Sequence, residues 1–173
     1  LFEILDISSG KPTLVIPQPE IDRAENFARS NLSKNRPIIG LNTGAGNRWR
    51  YKQLSMEKTC ALADGLVNTF HATLLLYGGQ AEENRNVSIQ NLTNCTILNT
   101  GHDNSLLEFA AMIALCDVLI TSDSLALHIA CSLNIPVVAF FGPTSAAEID
   151  LFGRGTKITP NISCVCCYLQ DCD

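Results

Sequence analysis

The chain is 173 residues long, 46% hydrophobic and 17% charged, which suits one domain with its own core and excludes disorder, collagen and coiled coil. Its 12 Lys and Arg against 17 Asp and Glu give a net charge of −5, the wrong sign for a protein living on phosphate-backbone contacts, so nucleic acid is not expected as a partner. The longest apolar stretches, such as Ile135 to Phe141, fall far short of the roughly 20 residues of a transmembrane segment, and no charged start precedes an apolar block as in a signal peptide; a soluble chain is expected.

In chain order, Leu14-Val15-Ile16 is a short extended run closed by Pro17 and Pro19, and Glu20 to Leu32 reads as a helix. After Pro37 a repeating pattern starts. Ile38 to Leu41 predicts a strand ending in Thr43-Gly44-Ala45-Gly46, and Ser55 is placed to cap a helix running to Phe70. Ala72 to Tyr77 predicts a second strand ending in Gly78-Gly79, followed by a polar helix through Gln90; Cys95 to Leu98 predicts a third. Ser105 to Leu115 is a helix with Glu108 in its first turn, leading into a strand from Asp117 to Ile120. Ser122-Asp123-Ser124 then opens a helix to Leu133, Pro136 opens a strand to Phe141, and Gly142-Pro143-Thr144 starts a short helical turn.

Continuously apolar strands are buried on both faces, and helices of this length between them imply parallel βαβ units. The fold class expected is α/β, a doubly wound, Rossmann-like parallel sheet. Ligands of such sheets lie outside the carboxyl ends of the strands, where this sequence places small, hydroxylated or glycine-rich residues.

The Gly44-Ala45-Gly46-Asn47 loop lets backbone approach an anion, although a lone G-x-G is also a common tight turn. A third glycine and an acidic residue closing the second strand are both missing, which argues against NAD. Arg48-Trp49-Arg50-Tyr51-Lys52 concentrates three cations beside that loop and suits a diphosphate; the alternative is a solvated basic turn with Trp49 on the sheet rim. Asp123 at a helix start is either an N-cap or an acceptor for ligand hydroxyls, with Ser124 and free amides taking the phosphate. His128, one turn further on, is a candidate for the same crevice or a boundary residue of the core.

Of the eight cysteines, Cys60, Cys95, Cys116 and Cys131 lie apart, mostly in helical patterns, and are expected to pack as small hydrophobes. Cys164, Cys166, Cys167 and Cys172 cluster near the end. Cys164-x-x-Cys167 with Cys172 has the spacing of a zinc or iron–sulfur ligand set or a redox-sensitive thiol group, a disulfide being the alternative. The sequons at Asn31, Asn86, Asn91, Asn94 and Asn161 are read as chance in an Asn-rich chain. A start at Leu1 rather than Met, and a stop inside the cysteine-rich stretch, lead to the expectation of a piece of something longer.

Taken in order, Asn42-Thr43-Gly44-Ala45-Gly46, Trp49-x-x-Lys52, Leu76-Tyr77-Gly78-Gly79 with Glu82, Thr121-Ser122-Asp123-Ser124-x-x-x-His128 and Phe141-Gly142-Pro143-Thr144 resemble the heptosyltransferase family of bacterial sugar transferases, glycosyltransferase family nine. The resemblance spans Pro37 to Cys172. It implies the C-terminal, donor-binding half of a two-domain GT-B enzyme. Residues 1–35 would be a linker and leading helix from an N-terminal domain, and 36–173 the nucleotide-sugar-binding domain with a Cys-rich tail.

By that resemblance Lys52 neutralises the donor diphosphate, Thr43 and Gly44 line the phosphates, and Glu82 or Glu83 holds the ribose hydroxyls. Asp123, Ser124 and His128 match the family's Asp-Ser/Thr-Gly-x-x-His stretch, with Leu125 in place of its glycine; Gly142 and Thr144 complete the donor set. The implied activity is inverting transfer of a heptose-like sugar from a nucleoside diphosphate, ADP-heptose in the nearest case, to lipopolysaccharide core or a related surface glycan or lipid-linked acceptor. No metal is needed for that chemistry, and the base would lie in the N-terminal domain. The implied location is cytoplasmic, peripheral to the inner membrane. A nucleotide-sugar epimerase of the same architecture, and a non-catalytic nucleotide- or metal-binding module, are the alternatives.

Overall fold

The computed structural model describes residues 10–33, 35–46 and 49–170. Asn47, Arg48 and Cys172, singled out by the sequence, lie outside the described residues, as does the side chain of Arg50. Six strands, β1 (Ile38–Asn42), β2 (Thr73–Tyr77), β3 (Ile97–Asn99), β4 (Val118–Ser122), β5 (Val137–Phe140) and β6 (Gly155–Ile158), form one sheet in the order β3-β2-β1-β4-β5-β6, every pairing parallel. The helices are α1 (Gln18–Asn31), α2 (Met56–Phe70), α3 (Glu83–Leu92), α4 (Leu106–Ile113) and α5 (Leu125–Ser132).

The side-chain alternation of β2 shows why the strands read as unbroken apolar runs. Leu74 and Leu76 enter a core shared with Ala63 of α2 and Ile89 of α3, whereas Leu75 and Tyr77 enter a second core built with α1, α4 and α5; all four strand residues are 0% exposed. The doubly wound α/β reading therefore holds. Helix α1 packs on α4, placing Ala24 in the second core and pairing Arg23 with Glu108, so residues 18–31 belong to the same packed unit. Ser55 caps α2 by accepting from the Lys58 amide, and Ser105 with Glu108 forms a capping box on α4.

Some expectations shift. The helical turn expected from Gly142 begins later, at Ala146–Glu148, where Ser145 accepts from the Ala147 amide. Strand β6 has no counterpart in the sequence reading, because all four of its residues are exposed and the segment has neither apolar run nor alternation. Cys116 and Cys131 are buried and Cys60 and Cys95 partly so, all as free thiols. Tyr77 donates its hydroxyl proton to the Met112 carbonyl at 2.7 Å and lies 3.0 Å from Cys116 Sγ, while burial pushes the Cys116 thiol up to about 12. Asn86, one of the sequon residues, is 1% exposed.

Candidate functional site

The strand order reverses direction between β1 and β4, and a cavity of about 490 Å³ lies there, outside the carboxyl ends of the strands. Its walls are the Gly44-Ala45-Gly46 loop after β1, Gly78, Gly79 and Glu82 after β2, and Ser124, Leu125 and Ala126 at the start of α5. His102, Asn104, Leu106 and Phe109, around the start of α4, supply a wall that sequence reasoning missed. The signal available was position alone: the segment follows the third strand, with no glycine motif to mark it.

Glycine is required where Glu82 approaches the loop. A Cβ at Gly44 would stand 2.6 Å from Glu82 Cδ, and one at Gly78 would stand 2.7 Å from Glu82 Cβ. The Glu82 side chain can therefore lie between the two loops, with the Gly79 amide donating to its Oε2 at 3.0 Å. Glu82 is 6% exposed and faces the cavity. Glu83, the other candidate for the ribose, lines neither cavity; its carboxylate lies 3.5 Å from His102 Nε2. Thr43 is likewise not in the wall. Its hydroxyl turns beneath the loop and donates to Asn86 Oδ1 at 2.6 Å, which anchors the loop from below.

Asp123 does not cap α5. The N-cap is Ser124, without a side-chain cap bond, because its hydroxyl engages Thr121 Oγ1 at 3.0 Å and Asn42 Nδ2 at 3.2 Å. Leu127 N donates to the Ser124 carbonyl at 3.1 Å, whereas among the described residues no acceptor takes the amides of Leu125 and Ala126, the two residues of α5 that border the cavity. The Asp123 carboxylate instead accepts from Lys52 Nζ at 2.6 Å and from Thr144 Oγ1 at 2.8 Å. Lys52 also donates to the Asp123 carbonyl at 3.2 Å and sits 5.5 Å from the centre of the Trp49 ring. Burial pulls the Asp123 carboxyl up, yet the bonds from Lys52 and Thr144, the Lys52 charge and a smaller contribution from His128 outweigh it, leaving the group below the usual carboxylate range. His128 itself is exposed and lines neither cavity.

A second cavity, of about 400 Å³, is bordered by Lys52 and not by Asp123. Lys52, Lys58, Phe141, Gly142 and Pro143 border it, as do Cys164 and Cys167. The tail is latched onto the 142–145 loop: Cys166 N donates to Gly142 O at 3.1 Å, Tyr168 N to Pro143 O at 2.8 Å, and Ser145 N to the Tyr168 hydroxyl at 3.1 Å. Cys164, Cys166 and Cys167 are free and exposed. Among the described residues no three His, Cys, Asp or Glu side chains are grouped to hold a metal ion, and Cys172 lies outside them.

Of the residues singled out in advance, Gly44, Glu82 and Ser124 thus surround the first cavity, and Lys52 and Gly142 the second. Asp123 and Thr144 line neither cavity and reach the second through the bond from Lys52 to Asp123, Thr43 lies beneath the loop, and Glu83 and His128 stand outside. A family model for glycosyltransferase family 9 (heptosyltransferase) matches residues 2–171. Lipooligosaccharide heptosyltransferase 2 of Haemophilus influenzae is 31% identical over 150 residues, covering 81% of this chain and 42% of that protein. Among solved structures, a glycosyl transferase family 9 protein from Veillonella parvula superposes with a TM-score of 0.81 at 21% identity, over 92% of this chain and 46% of that one, a likeness of fold. The Escherichia coli ADP-heptose lipopolysaccharide heptosyltransferase II superposes with a TM-score of 0.71 at 26% identity, over 85% of this chain and 45% of that one. The chain spans less than half the length of these three proteins. It belongs to glycosyltransferase family 9.

Proposed function

We propose that the chain is the nucleotide-sugar-binding half of an inverting glycosyltransferase. The full protein would move a heptose-like sugar from a nucleoside diphosphate, ADP-heptose in the nearest case, to lipopolysaccharide core or a related surface glycan. The observation that carries this reading is the first cavity, which combines an amide-rich glycine loop, the uncapped start of α5 and a buried carboxylate in a volume suited to a nucleotide. The Haemophilus relative and the E. coli neighbour are both heptosyltransferases, the latter of ADP-heptose, which supports the reading.

In this reading Glu82 accepts from the ribose hydroxyls, and the diphosphate lies between the Gly44–Gly46 loop and the start of α5. The sugar projects over Asp123 and Lys52 toward Gly142. An ammonium has three donors; Lys52 gives Asp123 two bonds and retains a third for the leaving diphosphate. The acceptor hydroxyl, deprotonated by a base on a preceding domain, displaces the diphosphate from the far side of the anomeric carbon. Lys52 and the α5 amides stabilise the charge that develops. Among the described residues no helix is long and apolar enough to cross a membrane. On the likeness to lipooligosaccharide and lipopolysaccharide heptosyltransferases we place the protein at the cytoplasmic face of the inner membrane as a peripheral component.

Titration calorimetry with ADP, UDP and GDP tests the reading. Saturable binding of at least one is expected, and no binding of any at millimolar concentration would sink it.

A further inference from the structure

Asn42, the last residue of β1, is 5% exposed and has no assigned role in the proposed donor site. Its Nδ2 lies 3.1 Å from the Gly44 carbonyl oxygen, 3.0 Å from Thr121 Oγ1 and 3.2 Å from Ser124 Oγ. A carbonyl only accepts, so the nitrogen of the Asn42 amide must face Gly44. Ser122 Oγ donates to the same Gly44 carbonyl at 3.3 Å. Two donors, one from β1 and one from β4, thus hold that oxygen against the sheet.

The peptide between Gly44 and Ala45 is trans, and a planar trans peptide points its C=O and N–H in opposite directions. With the Gly44 oxygen held inward, the Ala45 N–H is turned outward. Gly44, Ala45 and Gly46 all border the first cavity, and among the described residues no acceptor takes any of their three amides. Glycine on one side of this peptide lowers the barrier to its rotation, so the loop on its own would sample the flipped form. In that form a carbonyl oxygen would face the cavity and repel an anion. We infer that Asn42, assisted by Ser122, is a positioning residue that locks the Gly44–Ala45 peptide with its N–H toward the cavity, making the loop a receptor for a phosphoryl oxygen. Its second N–H, shared between Thr121 Oγ1 and Ser124 Oγ, ties the same lock to the start of α5, so both walls of amides are set by one side chain.

This inference rests on the nucleotide reading, and the test separates the two. ADP, adenosine and inorganic pyrophosphate are titrated into the wild-type protein and Asn42→Ala, with a thermal melt of each variant. The expected result is a loss of about tenfold or more in ADP and pyrophosphate affinity, the scale of one hydrogen bond to a charged group, with adenosine affinity unchanged. Equal losses for ADP and adenosine, or none, would overturn the lock. Should Asn42→Ala fail to fold, Ser122→Ala removes the second tie and is expected to lose severalfold in pyrophosphate affinity alone; an unchanged affinity there also overturns it. In the wild-type protein, the Ala45 amide resonance is expected to move on adding pyrophosphate, and an unmoved resonance counts against the lock. A protein that binds pyrophosphate through the Ala45 amide but binds no nucleotide would retain the lock and overturn the nucleotide reading.

Discussion

Replacing Lys52 by methionine keeps the length of the side chain and deletes its charge, leaving Asp123 with Thr144 as its remaining donor. Both partners are largely withdrawn from water, their side chains 12% and 14% exposed. At an effective dielectric near 20, charges about 3.5 Å apart attract by about 5 kcal/mol, and the cost of desolvating the two ions takes back most of that. The intact pair is therefore worth little, but removing one member strands a carboxylate. The expected cost is about 3 kcal/mol at pH 7, which in a domain of this size lowers the melting temperature by about 6–12 °C. The sign with pH follows from the depressed Asp123 group. Stabilisation by a carboxylate whose folded value lies below its unfolded one is complete above about pH 4 and is lost as the pH falls through the folded value. The deficit of Lys52→Met should thus shrink toward zero in strong acid, and Asp123→Asn added to Lys52→Met should recover more than half of it at pH 7. Thermal melts of the three proteins between pH 3 and 7 provide the check. A deficit that does not depend on pH, or an unchanged melting temperature at pH 7, would refute the stranded-charge reasoning.

Gly44→Ala should push the Glu82 side chain out of its slot, since the new Cβ would fall 2.6 Å from Cδ; about 1–3 kcal/mol of stability and about tenfold or more in nucleoside affinity are expected to go, and calorimetry showing unchanged adenosine binding would refute the placement of Glu82. Alkylation of the native protein at pH 8, mapped by mass spectrometry, should label Cys164, Cys166 and Cys167 quickly and leave Cys116 untouched, because the former are exposed while burial holds the latter's thiol at about 12; rapid labelling of Cys116 would contradict its place under Tyr77.

The sheet was legible because both of its faces are covered. An unbroken Thr73 to Tyr77 run has few other readings, and Ser55 and Ser105 announce their helices by capping chemistry. Strand β6 was not legible, since an exposed edge strand of Gly-Thr-Lys-Ile needs no apolar pattern and is held by pairing with β5. At the site, the loops after β1, β2 and β4 were marked by glycine and hydroxyl residues. The direction in which each side chain points was not. Sequence spacing gives Thr43 and Gly44 equal claims on a ligand, but the strand's alternation sends the Thr43 hydroxyl under the loop to Asn86. Likewise Asp123 stands where caps are usual, and only the fold brings Lys52 and Thr144, 71 and 21 residues away, onto its carboxylate.

The central position of β1 has a consequence for the order in which the sheet can be built on the ribosome. Of the six described strands β1 is made first, and one of its sides is covered soon afterwards by β2; the other must wait for β4. At roughly 5–20 residues per second, the interval between Asn42 and Val118 lasts about 4–15 s, during which the side of Ile38–Asn42 that will pair with β4 has no strand from its own chain. That open edge carries no charge within the strand to discourage a second nascent chain from pairing with it. This domain is therefore open to edge pairing during that interval, and a holding chaperone that recognises Ile-Ile-Gly-Leu should find its target there and lose it once β4 docks.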